Sequence, residues 1–69
     1  MPTTYLVALK LGGALVRSLG WYWSLPQLVR QEADARTRDH IERMYRASLR
    51  DLSFEQAQEV YDWARAQHA

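Results

Sequence analysis

The stretch YLVALKLGGALVRSLGWYW, residues 5 to 23, carries only two charges in nineteen positions, and it limits what this chain can become more than any other feature. Read as a helix, it sets Lys10 and Arg17 seven residues apart on one narrow stripe with Gly13 and Trp21, while Ala8, Leu11, Leu15, Leu19 and Tyr22 fill the opposite side. A helix that is apolar over most of its circumference has to be covered on several sides. With 69 residues in all, little remains to cover it, since a chain of this size hides only about 60% of the surface its unfolded form exposes.

Chains this short usually lean on a disulfide, a metal or oligomerisation. The absence of cysteine removes disulfides, thiolate zinc sites, iron–sulfur clusters and thiol catalysis together. A partner or a second copy is then the expected helper, and a self-contained three-helix monomer with a thin core is the competing reading. At 48% apolar and 25% charged residues, the composition is that of a folded protein and not of a disordered tail.

Gly12 and Gly13 complicate the first helix. Each costs about 1 kcal/mol in a helix interior, and the pair equally suits a turn between a strand at residues 5 to 11 and a second element from Ala14.

The second segment opens with S-L-P-Q, which offers Ser24 as a cap, Pro26 in the first turn and Gln27 at the capping-box position. No Gly or Pro follows as far as Arg50, so the expectation is one long helix over residues 25–50. Its middle, EADARTRDHIER, has almost no large apolar residue but repeats acid-before-base pairs four apart, among them Glu32 with Arg36 and Asp34 with Arg38. Such pairs contribute only about 0.2 to 0.5 kcal/mol each, which describes a helix that projects into solvent or bridges two apolar patches. The third segment has the clearest start: Ser53 as cap, Gln56 at the box position, and Leu52 able to pack on Ala57. A helix over residues 54–67 follows, with Phe54, Ala57, Tyr61, Ala64 and His68 on the packed face and Glu55, Glu59 and Asp62 outside. The fold class is therefore all-α, a single small helical domain over residues 1–69, in which segments two and three form an α-hairpin and the apolar segment packs on it or on a partner. The alternative is an N-terminal strand or hairpin followed by two helices.

No catalytic or metal-binding constellation can be assembled. The carboxylates lie on solvated helix faces, most with an arginine one turn away, and a divalent cation needs more oxygen ligands than the Glu55, Glu59 and Asp62 stripe offers. His40 lacks a neighbouring nucleophile and an orienting acid, and His68 sits where it can interact with a helix dipole. The expectation is a non-enzymatic protein without cofactor, metal or small-molecule substrate.

Net charge is +1, but residues 1–50 hold eight basic and four acidic side chains, and residues 51–69 hold one basic and four acidic: +4 against −3. That split permits attraction between segments or between copies. Arg36, Arg43 and Arg50 repeat every seven residues with Arg46 nearby, which makes a nucleic-acid-binding regulator the main alternative; the acidic third helix argues against it. MPTTYLVAL has no basic leader region, so a cytoplasmic location is expected. A membrane-associated subunit is the further alternative, although Lys10 and Arg17 would cost about 2.5 to 3.5 kcal/mol each inside a bilayer.

The aromatic residues rise above this background. Trp21, Tyr22 and Trp23 stand in a row and cannot all enter one small core, and Trp63 falls between Glu59 and Gln67, away from Tyr61. Large aromatics in excess of the core are common interface anchors. The expectation is a small adaptor, inhibitor or assembly subunit that binds another protein or itself through Leu11, Leu15, Leu19, Trp21, Tyr22, Trp23 and Trp63, with Arg36, Arg43, Arg46 and Arg50 steering an acidic surface.

Overall fold

The structure, a computed structural model, describes residues 2–68. They form α1 (Thr3–Leu11), α2 (Gly13–Arg17), α3 (Gly20–Trp23), α4 (Gln27–Tyr45), a short 3₁₀ helix (Leu49–Asp51) and α5 (Phe54–Ala66). The protein is all-α, with no strand among the described residues, and α1 packs on both α4 and α5.

The apolar segment is not one helix. Gly12 adopts φ 118° and ψ 168°, a backbone region open essentially only to glycine, and its N–H closes α1 on the carbonyls of Ala8 and Leu9. The break turns a rod too apolar to cover into short helices that fold around each other. Val7, Ala8, Leu19 and Tyr22 become core together with Ile41, Leu52, Val60 and Tyr61, and Leu11 and Leu15 pack half-buried against them. Much of the covering expected of a partner is supplied by the chain itself.

The central helix also differs from expectation at both ends. Ser24 does not cap it: the Ser24 hydroxyl donates to the Trp21 carbonyl at 2.7 Å, and Pro26, with extended backbone, takes the N-cap place. At the other end Arg46 turns left-handed, φ 49° and ψ 41°, and stops α4 five residues before the expected bound near Arg50. An L-residue in that region costs about 1 to 2 kcal/mol. The turn brings Leu52 into the core and lays Leu49 against it, which offsets that cost by apolar burial. The polar middle of α4 is packed and does not project, because its inner face consists of the buried Ala33, Thr37 and Ile41, four residues apart. Two of these are small, so neighbouring helices approach closely, and the Thr37 hydroxyl is satisfied by the Ala33 carbonyl at 2.8 Å.

Helix α5 begins as its sequence predicts. The Ser53 hydroxyl accepts from Gln56 N–H at 3.1 Å, and the Gln56 side chain accepts from Ser53 N–H at 2.9 Å. Ala57, Val60, Tyr61 and Ala64 form its buried face. Phe54 does not join that face; it is 60% exposed.

Helix α1 has no cap of its own. Asp34 of α4 supplies one from a distance: its carboxylate accepts the Thr4 N–H at 3.0 Å and the buried Tyr22 hydroxyl at 2.7 Å. One side chain thereby ties α1, α3 and α4 together and puts negative charge at the positive end of α1. Burial, with the Asp34 hydrogen bond second, pushes the Tyr22 phenol well above the usual tyrosine range.

Candidate partner-binding surface

The three adjacent rings of α3 diverge. Tyr22 points inward to Asp34. Trp21 leans on α5, stacked on His68 with ring centres 5.7 Å apart, edge-on to Tyr61, and donating its indole N–H to the Tyr61 hydroxyl at 3.4 Å. Trp23 turns the other way, edge-on to Tyr5 of α1 at 6.2 Å, with the Arg30 guanidinium 5.7 Å from its ring centre. Trp63, expected to point outward, stacks on His40 at 3.9 Å with ring planes 6° apart, joining α5 to α4. Burial, and second the nearby Arg43, lower the His40 pKa below its ordinary value.

These placements divide the residues singled out from the sequence. Leu19 and Tyr22 are core and offer no surface to a partner. Leu11, Leu15 and Trp21 are half-buried within the fold, and Trp63 is engaged by His40. Trp23, 51% exposed, is the one member of that set with half of its surface free. All four candidate arginines are exposed, but only Arg36 and Arg43 share a helix, since Arg46 ends α4 and Arg50 lies in the 3₁₀ helix. The sevenfold stripe thus stops at two members.

The surface that the sequence did not reveal lies on the outer side of α1. Thr4, Val7, Ala8 and Leu11 face inward, so helical geometry turns Leu6 and Leu9 outward, and Leu9 is 50% exposed. Opposite them the 3₁₀ helix presents Leu49, and the space between is a groove of about 510 Å³ open to solvent. The Lys10 ammonium ties its two walls by donating to the carbonyls of Leu49 and Arg50 at 3.1 and 3.3 Å. A second depression of about 200 Å³ shares Leu6, Ser48 and Leu49 and reaches Arg38 and Glu42, and a third beside it reaches Arg46 and Asp51. The charged side chains that line these three depressions, Lys10, Arg38, Arg46 and Arg50 against Glu42 and Asp51, sum to +2. An apolar floor with a basic rim suits an acidic segment that carries a large apolar side chain. The signal available in the sequence was the outward Leu6 and Leu9 pair; the second wall depends on the turn at Arg46, which no glycine announces.

Among the described residues no helix is long and apolar enough to cross a membrane, and no group of three or more His, Asp or Glu side chains is placed to hold a metal ion. Comparison with family models, with curated proteins and with solved structures returned no match.

Proposed function

We propose that this is a non-enzymatic protein-binding module, acting as a small adaptor, inhibitor or assembly subunit, whose groove between α1 and the 3₁₀ helix takes an acidic segment anchored by one large apolar residue. The observation that carries the reading is the half-exposed Leu9 beside Leu6 and Leu49, framed by Lys10 and Arg50. An apolar floor left open inside a basic frame is a surface whose covering by an acidic, apolar partner removes water from leucine and brings opposite charges together. The volume suffices for an anchor residue, lying within the roughly 300 to 1,000 Å³ range of common binding clefts. Trp23 and Arg30 form a separate aromatic and cationic edge that widens the surface along Tyr5.

A labelled synthetic peptide with one phenylalanine among glutamates serves as the probe, followed by fluorescence anisotropy. Saturable binding that weakens with salt is expected. Arg50→Glu and Leu9→Arg should each weaken it at least about tenfold, a loss near 1.4 kcal/mol, with the helical circular dichroism unchanged. Equal affinity of both variants and the parent, or no binding to any of them at protein concentrations where the chain is monomeric and its groove unoccupied, would remove the groove from consideration.

A further inference from the structure

The groove calls for an acidic segment with an apolar anchor, and the same chain carries one. Resting on the groove reading, we propose that the occupant is the first half of α5 from a second copy, with Phe54 entering between Leu6, Leu9 and Leu49 and Glu55 facing Lys10 and Arg50.

Four observations lead here. Phe54 is 60% exposed although the rest of the predicted apolar face of α5 from Ala57 to Ala64 is buried. It follows a complete capping box, so the ring is presented on a fixed first turn and loses little freedom on docking. Its neighbours along the exposed side of α5 are Glu55, Glu59 and Asp62, with no basic residue before Arg65. The chain as a whole is split in the same sense, +4 over residues 1–50 and −3 over residues 51–69.

The other exposed apolar residues lack this complement. Trp23 lies under Arg30, a cation that a basic rim would repel. Met44 follows Arg43 directly, and Leu28 is followed by Glu32 one turn on but by Arg36 a turn later. Among the described residues only Phe54 joins a large apolar ring to an uninterrupted acidic surface.

Geometry favours a closed pair. Residues 51–53 alone separate the groove wall at Leu49 and Arg50 from Phe54, so donor and acceptor lie at one end of each molecule. A twofold axis through that end lets each copy give one Phe54 and receive one, which closes the assembly at a dimer.

Light scattering after size exclusion, over a concentration series of the untagged protein, tests this. The molar mass should rise from 8.1 kDa toward twice that value, and added salt should lower it. Phe54→Ala, at an exposed position, should raise the dimer dissociation constant by at least about 30-fold, the measure of an anchor residue. Arg50→Glu alone and Glu55→Arg alone should each be monomeric, whereas their mixture should dimerise again, because each groove then meets a helix of opposite charge. A mass of 8.1 kDa into the millimolar range, or a mixture that stays monomeric, overturns the proposal. If the acidic probe peptide still binds at the groove in that case, the binding module stands and only its occupant changes; if neither binds, both readings fall.

Discussion

Replacing Asp34 with alanine separates two descriptions of the same residue. From the sequence, Asp34 is one half of an exposed pair with Arg38 four residues on, and its loss should cost no more than about 0.5 kcal/mol. In the structure its two oxygens accept the Thr4 N–H at 3.0 Å and the Tyr22 hydroxyl at 2.7 Å. Hydrogen bonds to a charged group contribute about 1.5 to 3 kcal/mol each, and a buried hydroxyl left without a partner costs about 1 to 3 kcal/mol. Tyr22 is 1% exposed, so water cannot replace the acceptor without opening the core. Thr4 N–H, at the end of a helix, can be partly resolvated, which places the expected total near 3 kcal/mol and not at the sum of the ranges. For a domain of this length that lowers Tm by about 12 to 24 °C. Urea unfolding followed by circular dichroism gives the free energy directly. Tyr22→Phe in the Asp34→Ala background should recover part of the loss, because the ring keeps its packing and the orphaned hydroxyl is gone. A loss within about 0.5 kcal/mol of the parent would show that the carboxylate is only a surface charge, and the tie between α1, α3 and α4 would have to be abandoned.

Two further predictions concern the half-buried His40 and the buried Thr4. His40 is stacked on Trp63 and its pKa is lowered, first by burial and then by Arg43, so the unfolded chain takes up a proton at higher pH than the folded one. Stability is then full above about pH 6.5, the unfolded value, and falls as pH drops through the folded value. Unfolding free energies measured across that window should decline with falling pH, and His40→Gln should flatten the dependence; an unchanged slope in the variant would assign it elsewhere. Thr4 is 1% exposed and its hydroxyl is buried without a hydrogen-bond partner among the described residues, so Thr4→Val, which keeps the branched shape, should raise stability by about 1 kcal/mol in the same urea experiment. A loss of that size would mean that the hydroxyl has a partner after all.

What could be read in the sequence was local. The Ser53 and Gln56 box, the burial of Ala57, Tyr61 and Ala64 on α5 and the all-α class follow from periodicity and cap chemistry within a few residues, whereas Val60, fully buried, is not on the expected face and Phe54, 60% exposed, is. The hidden features depend on contacts between segments. Gly12 reads equally as a flaw in a helix or as a hinge until its φ of 118° decides it. Arg46 carries no stop signal, because the left-handed turn there is favoured by where Leu49 and Leu52 come to rest and not by its own preference. Asp34 has a good local partner in Arg38, and nothing nearby points to Thr4, thirty positions earlier. The groove inherits this difficulty: one wall is visible as an outward leucine pair, while the other is made by a turn that only the folded chain produces.

The most direct measurement is an amide chemical-shift map of the isotopically labelled protein titrated with the acidic phenylalanine peptide. The binding-module reading predicts the largest changes at Leu6, Leu9, Lys10, Leu49 and Arg50, the residues that enclose the groove, with α4 residues Arg36 and Arg43 little affected. Changes centred on Arg36, Arg43 and the His40 and Trp63 stack, with the α1 and 3₁₀ residues unmoved, would contradict it and place recognition on the opposite flank of α4.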